Sequence, residues 1–340
     1  MPTLAIVIVS YNVRELLRAC LASLYASLAR TPELTAQVWV VDNASADGSA
    51  DMVAAAFPAA VLVRSPQNLG YTAGNNVALQ ALGFAPRHGE ARPLDSYDWA
   101  AAVPRGTELP RLVWLLNPDT EVQGDALEKL VQFLAAQPAA GACGAQLVYA
   151  DGSFQQGAFR FPGLLQIAFD FFPPPGRLNQ PLLASRWNGR YAQALYKRGA
   201  PFAVDFVLGA TLLVRGDALA QVGLLDEGYF MYCEEMDWQR RAWQAGWRVY
   251  CVPTARVMHV GGASSSQFRS RSFVALWQSR LRYFKRYHGL VFNRAAAGLV
   301  RAGLRTEVRR ARMADLPDLA ERLAAYASVE TLARTWMEPV

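Results

Sequence analysis

The chain of 340 residues is long enough for one large α/β domain with an appendage, or for two domains, and its 52% hydrophobic content excludes a disordered chain. Its cysteines (Cys20, Cys143, Cys233 and Cys251) stand far apart with no Cys-x-x-Cys pair, which excludes a zinc cage or a disulfide framework and fits a reducing compartment. The net charge of +6 is uneven: Arg269 to Arg312 holds twelve Arg or Lys against Glu307 alone, a segment of +11 that leaves the remainder near −5. A basic tail on a mildly acidic body suggests attraction to an anionic surface.

Leu4 to Val9 follows Met-Pro-Thr without the basic stretch and long apolar core of a signal peptide. No run approaches the ~18 apolar residues of a membrane span. Leu164 to Phe172, the most apolar later stretch, is broken by Asp170 and then by Pro173-Pro174-Pro175. The expectation is a cytoplasmic protein, peripheral at the inner face of the plasma membrane.

In chain order, Leu4 to Val9 reads as a buried strand ending at Ser10-Tyr11-Asn12. Val13, Leu17, Cys20, Leu21, Leu24 and Leu28 recur at helical spacing behind it. Val38 to Val41 is a second strand ending in Asp42-Asn43-Ala44-Ser45, followed by a short helix to Phe57. Val61 to Val63 leads into Asn68-Leu69-Gly70-Tyr71, with another helix from about Ala73. Strands alternating with helices, each strand ending in polar residues, predict a parallel sheet with right-handed crossovers.

Residues 85–111, with Pro86, Pro93, Pro104 and Pro110, read as an insertion loop. Val113 to Leu116 then makes a continuous apolar run, as in a strand covered on both faces, and stops at Asn117-Pro118-Asp119. Taken alone, those three residues are turn formers. Yet the carboxyl end of such a strand is where open α/β sheets bind ligands, so Asp119 is also placed to hold a cation against a phosphate.

Asp125 to Gln137 predicts a helix, Gln146 to Tyr149 a strand, and Phe159 to Pro201 an irregular segment suited equally to ordinary loop packing or to a mobile loop over a substrate groove. Val204 to Leu208 and Thr211 to Val214 are short strands flanking Gly209-Ala210. Cys233-Glu234-Glu235-Met236-Asp237-Trp238 opens a helix, where carboxylates suit the first turn and Asp237 pairs with Arg241 at i,i+4. A strand at Trp247 to Tyr250 precedes Val257 to Gly262, which carries His259. From Phe273 onward, apolar Leu276, Trp277, Leu281, Phe284 and Tyr287 alternate with basic residues in an amphipathic helix, suited either to packing or to a membrane interface. No nucleic-acid recognition motif accompanies this charge, so no nucleic-acid partner is expected.

Five ordered motifs now stand together: Val7 to Asn12; Val40 to Gly48; Asn68-Leu69-Gly70-Tyr71 to Asn75-Asn76; Leu115 to Glu121; and Tyr232 to Arg241 with His259 beyond. On these the chain resembles the glycosyltransferase family 2 enzymes, in their rhamnosyltransferase-like branch of bacterial surface-polysaccharide assembly. The resemblance implies a GT-A fold, a Rossmann-like, mostly parallel nucleotide-binding α/β sheet, over residues 1–265, with a basic amphipathic helical appendage at 266–340. It further implies inverting, metal-dependent transfer of a sugar, rhamnose foremost, from a dTDP- or UDP-sugar to a hydroxyl of a lipid-linked or polymeric saccharide.

On that pattern Ser10, Tyr11, Asn12, Asp42 and Asn43 would hold base and ribose, and Asn68, Gly70 and Asn75 would line the next loop. Asn117 and Asp119 occupy the family's DxD position. There the first acidic residue is replaced by Asn117, so Asp119 must supply the charge, with His259 as a further ligand to Mg²⁺ or Mn²⁺. The family's catalytic base is the aspartate of a Glu-Asp pair, and Glu235 stands at that position, one methylene longer. Glu234 and Asp237 lie close enough to be alternatives. The absence of a Gln-x-x-Arg-Trp motif points away from processive synthases. Two rivals are a nucleotidyltransferase, whose glycine- and lysine-rich loop Ser10 to Arg14 lacks, and a silent sugar-binding or scaffold protein, which the departures at Asn117 and Glu235 keep open.

Overall fold

A computed structural model describes residues 3–86, 92–99, 108–261, 269–314 and 317–336. The described residues fall into two compact units, one within Met1–Phe159, Gln193–Phe230 and Glu234–Ser264, the other within Arg160–Ala192, Met231–Cys233 and Ser265–Val340.

The first unit opens with β1 (Leu4–Ser10), α1 (Arg14–Leu28), β2 (Ala36–Asp42), α2 (Ser49–Ala56), β3 (Val61–Arg64) and α3 (Gly70–Ala81). Every residue of β1 is buried, as a strand covered on both faces requires. Helix α3 starts at Gly70, ahead of the expected Ala73, where the Asn68 side-chain Oδ1 accepts from the Gly70 N–H at 2.9 Å and turns the chain into the helix. Its start fits only glycine: φ is +77°, and a Cβ there would lie 2.3 Å from the Phe230 carbonyl oxygen.

Within the expected insertion loop, β4 (Asp98–Trp99) extends the sheet edge against β3, and Tyr97 is buried beside it. The aromatic residues explain this difference, since Trp39 and Trp99 meet edge to face and Tyr97 packs on Trp99. The rest of that expectation, at 87–91 and 100–107, lies outside the described residues.

Next come β5 (Leu112–Leu116), β6 (Thr120–Gln123), α4 (Ala126–Ala136), β7 (Ala140–Val148), β8 (Phe154–Gln155) and β9 (Ala158–Phe159). β7 begins six residues before the strand expected at Gln146, because the small residues from Ala140 to Ala145 are buried. α5 (Leu164–Phe171) and α6 (Asn179–Leu183) belong to the second unit, so the segment expected to be irregular carries helices. The first unit resumes with α7 (Gln193–Lys197), β10 (Phe202–Val204), β11 (Phe206–Val207), β12 (Thr211–Arg215), α8 (Gly216–Val222), α9 (Glu234–Gln244) and β13 (Arg248–His259). β13 unites the two stretches the sequence suggested separately, from Trp247 and from Val257.

The sheet runs β10-β13-β7-β12-β5-β1-β2-β3-β4, with β6 on β13 and β8 on β7. Its long strands are mostly parallel: β5, β1, β2 and β3 run together, as do β7 and β13, while β12 is antiparallel to both neighbours. Trp114, Leu116, Ile6 and Ile8 anchor a core sealed by α1 and α4, each large side chain contributing roughly 1.5–3 kcal/mol by leaving water.

The second unit contains α10 (Arg269–Tyr287), α11 (Leu290–Met313) and α12 (Leu319–Thr335), with α5 and α6. Its centre is aromatic. Phe171 stacks on Trp277 with centroids 5.0 Å apart, and Gly303 admits the Phe171 ring so closely that a Cβ there would clash at 2.1 Å. No helix of the described residues is long and apolar enough to cross a membrane.

Candidate active site

Parallel register brings three polar strand ends to one edge. Ser10 pairs with Asp42, and Ile8 with Leu116, so Asn117 follows at the same level. Behind β1, Asn12 takes a left-handed backbone with φ 52°, and its side-chain oxygen accepts from the Ala46 N–H at 2.7 Å. Behind β2, the Asp42 Oδ2 accepts from the Ser45 N–H at 3.0 Å, and Asn43 Nδ2 donates to the Gly70 carbonyl at 2.9 Å. These bonds hold the loops but use only part of each side chain. Ser10 Oγ, Asp42 Oδ1, Asn43 Oδ1, Asn75 Oδ1 and Asn117 Oδ1 are all buried without a hydrogen-bond partner. A buried polar atom left so costs about 1–3 kcal/mol, and a row of them at a sheet's carboxyl edge asks for a ligand. Asn68 spends its side-chain oxygen on the Gly70 N–H, in an Asx turn just ahead of α3. Tyr11 stands partly exposed at the end of β1.

The turn after β5 is tied at both ends. The Asn117 N–H donates to the Ala210 carbonyl, and the Asn117 carbonyl accepts from Thr120 Oγ1 at 2.7 Å. Thr120 stands opposite His259 in the β6–β13 pairing, which carries His259 to Asp119. Asp119 Oδ1 lies 3.5 Å from His259 Nε2, while Asp119 Oδ2 accepts from the Gly261 N–H at 3.1 Å. The far ring nitrogen, His259 Nδ1, meets Gln155 Oε1 at 3.1 Å, a contact that fixes the orientation of the ring. Burial pushes the His259 pKa down, opposed by the Asp119 carboxylate, and so favours the neutral ring a cation needs. Among the described residues no cluster of three or more His, Cys, Asp or Glu is placed to hold a metal. A pair of hard and borderline donors with the Asn117 oxygen in the same turn nevertheless suits Mg²⁺ or Mn²⁺, which keep waters and phosphate oxygens as their remaining ligands.

The acidic residues of α9 divide sharply. Asp237 is 0% exposed; its Oδ2 accepts from Arg241 Nε at 2.8 Å, and its Oδ1 lies 3.4 Å from the Tyr229 hydroxyl. Arg241 in turn donates to the carbonyls of Val222 and Leu224, both at 2.9 Å. Glu234 and Glu235 instead hydrogen-bond to each other, and each keeps an Oε2 without a partner. Glu234 is buried and Glu235 partly exposed. Burial raises both carboxyl pKa values, that of Glu234 well above the ordinary range because the adjacent Glu235 charge adds to it.

Three further residues belong here. Glu235 accepts from the Gly209 backbone N–H, while the Tyr71 hydroxyl donates to the Gly209 carbonyl at 3.0 Å. Gln239 closes the back, exchanging two 2.8 Å bonds with the Val207 backbone and donating to the Glu235 carbonyl at 2.9 Å. Burial pushes the Tyr71 phenol well up, aided by the charges of Glu234, Glu235 and Asp119, so it stays a neutral donor among acids. Sequence reasoning passed over Tyr71, Gly209 and Gln239 as site residues. Tyr71 stood in the quoted Asn68 motif and Gly209 between two short strands, which were the signals available.

The mixed α/β architecture, with its mostly parallel central sheet, is that of the GT-A glycosyltransferases. The chain shares this fold with the mannosyltransferase PcManGT from Pyrobaculum calidifontis in complex with GDP-Man and Mn²⁺, at a TM-score of 0.52 and 18% identity over 99% of this chain and 83% of that one. GalNAc-T7 with UDP, GalNAc and Mn²⁺ matches at a TM-score of 0.51 and 15% identity, covering 76% of this chain and 43% of that one. Among named relatives, an N-acetylglucosaminyl-diphospho-decaprenol L-rhamnosyltransferase from Mycobacterium tuberculosis is 31% identical over 234 residues, 69% of each chain. The rhamnosyltransferase WbbL of Escherichia coli is 36% identical over 83 residues, 24% of this chain and 31% of its own. The profile described as "Glycosyltransferase like family 2" matches residues 2–283, and the chain belongs to that family.

Proposed function

We propose that this glycosyltransferase moves L-rhamnose from a dTDP- or UDP-linked donor, dTDP-rhamnose foremost, to a hydroxyl of a lipid-linked or polymeric saccharide, with inversion at the sugar. The observation that carries the reading is the pairing of Glu235, partly exposed with a carboxylate oxygen to spare, with the row of partnerless polar atoms at the strand ends. The rhamnosyltransferase relatives support the choice of sugar, and the decaprenol-linked substrate in one of their names supports a lipid-linked acceptor.

In this reading Asp42 accepts from the N–H of the pyrimidine base, while Ser10, Tyr11, Asn12 and Asn43 surround base and ribose. Asn68, Gly70 and Asn75 line the neighbouring loop, and Gly70 lets backbone approach the ligand. Asp119 and His259, with Asn117, would hold Mg²⁺ or Mn²⁺, which when bound offsets the charge of the diphosphate leaving group; the Mn²⁺ in both structural relatives supports this. Glu235 takes the proton of the acceptor hydroxyl as that oxygen attacks the anomeric carbon from the face opposite the breaking bond to diphosphate. Gly209 and Gln239 fix the base from either side. Glu234, the better buried of the pair, holds the shared proton and leaves Glu235 ionised, whereas Asp237 serves as an anchor for Arg241. The basic segment from Arg269 to Arg312 keeps the enzyme at the inner face of an anionic membrane, where a lipid-linked acceptor resides.

Incubation with a panel of nucleotide sugars, Mn²⁺ and a lipid-linked saccharide, followed by measurement of released nucleotide, tests the reading. Release from dTDP-rhamnose above all other donors is the expected result. Silence with every donor would remove the proposal.

A further inference from the structure

Within the second unit, α10 and α11 meet at a corner, His288-Gly289, and the first two residues past it are Leu290 and Val291. They are 57% and 84% exposed, whereas Phe284, Ala296 and Ala297 nearby are buried. Phe292 stacks on the His288 ring with centroids 3.8 Å apart and tilts against Phe284 at 5.4 Å. Asn293 Nδ2 donates to the His288 carbonyl at 2.8 Å and the Gly289 carbonyl at 3.0 Å. The corner is therefore braced from within and holds its two aliphatic side chains in water. Singly exposed apolar residues are ordinary on any surface; an adjacent pair on a braced corner is less so.

The charge around the pair is one-sided. Lys285 and Arg286 on the last turn of α10 and Arg294 on the first turns of α11 are exposed, and no acid occurs between residues 285 and 294. Exposed Arg305, Arg309 and Arg312 continue the basic character along α11, which ends at Met313, 87% exposed. Long basic side chains laid around a small aliphatic tip match the two layers of a bilayer interface, phosphate outside and acyl chain within. A single acidic peptide would answer the cations but leave Leu290 and Val291 without an apolar partner.

We propose that this corner is a membrane-inserting tip, with Leu290 and Val291 entering the acyl boundary of an anionic bilayer while Lys285, Arg286 and Arg294 hold lipid phosphates. The proposal rests on the membrane part of the function proposed above and assigns it to particular residues. The full chain would be sedimented with vesicles of phosphatidylcholine alone and of phosphatidylcholine with phosphatidylglycerol, at low and high salt. Wild type should bind the anionic vesicles in a salt-sensitive way. Val291→Asp should weaken that binding at least about tenfold, the worth of a buried valine side chain. Replacing Lys285, Arg286 and Arg294 by Ala should weaken it about fivefold for each cation lost and flatten the salt dependence. Because the chain already carries nine tryptophans, the emission of Val291→Trp is read as its difference from wild type, and that difference should move to the blue on adding anionic vesicles. Equal binding by wild type and Val291→Asp, or unshifted emission, would overturn the tip while leaving surface attraction intact. No binding by wild type at low salt would overturn both, and nucleotide release with a soluble acceptor would still test sugar transfer separately. Far-UV circular dichroism of each variant identifies any that fails to fold.

Discussion

The carboxyl edge of the sheet and the Asp237–Arg241 network, both within the first unit, treat buried polarity in opposite ways. At the sheet edge, Ser10, Asp42, Asn43 and Asn117, and on α3 Asn75, each keep an oxygen buried and without a partner. In the network, Asp237 is fully buried yet both its oxygens are engaged, and Arg241 spends its remaining donors on two backbone carbonyls. Both regions are polar and both lie inside. Only one is finished, and a folded chain that leaves several polar atoms incomplete on one edge is arranged for something it binds. Glu234 and Glu235, three and two positions before Asp237, fall on the unfinished side of that division.

The carboxylates of α9 carry the largest expected effects. Glu235→Gln should lower turnover by about 10²- to 10⁴-fold while leaving donor affinity near wild type, as loss of a general base does. Because burial raises the Glu235 pKa, and only its ionised form accepts a proton, the acid limb of the activity profile should lie above the ordinary glutamate range. If Asp237→Asn rather than Glu235→Gln abolishes turnover in a protein that remains folded, the assignment of the base is wrong.

Asp237→Ala should act on stability instead. It leaves Arg241, whose side chain is only 12% exposed, with its charge unanswered, at a cost of about 3 kcal/mol in chemical denaturation. A loss under about 1 kcal/mol would show that the network is not structural. Gly70→Ala should cost about 3 kcal/mol, through its left-handed backbone and the close approach of the Phe230 carbonyl. An alanine variant as stable as wild type would mean that the start of α3 shifts freely.

How much of this was legible in the sequence follows the same division. The parallel strands announced themselves through apolar runs that stop at polar residues, and the carboxyls of α9 through their spacing to Arg241. Strand β12 lies antiparallel between β5 and β7, and nothing in Thr211 to Arg215 signals direction. Nor does local pattern reveal that Gly209 joins Tyr71 to Glu235, since those contacts span 138 residues between Tyr71 and Gly209 and depend on the assembled sheet. The separation of Asp237 from Glu235 was equally hidden. All three acids fit a first helical turn, and only burial and partners distinguish them.

Glu234→Gln gives the smallest effect and the finest test. A carboxyl whose folded pKa is raised above its unfolded value holds more proton folded than unfolded between those two values. Stability therefore falls as pH rises through that window, by at most about 1.4 kcal/mol per pH unit, and is flat on either side. For Glu234 the window opens at the ordinary glutamate range and extends well upward, because burial and the Glu235 charge both disfavour its ionised form. Glutamine keeps the shape and removes the titration, so the variant should gain on wild type as pH rises from about 4.5 toward neutrality. Denaturation of both proteins across that range measures the difference directly. A constant offset at every pH would mean that Glu234 titrates alike folded and unfolded, and would remove it from the proton-sharing pair with Glu235.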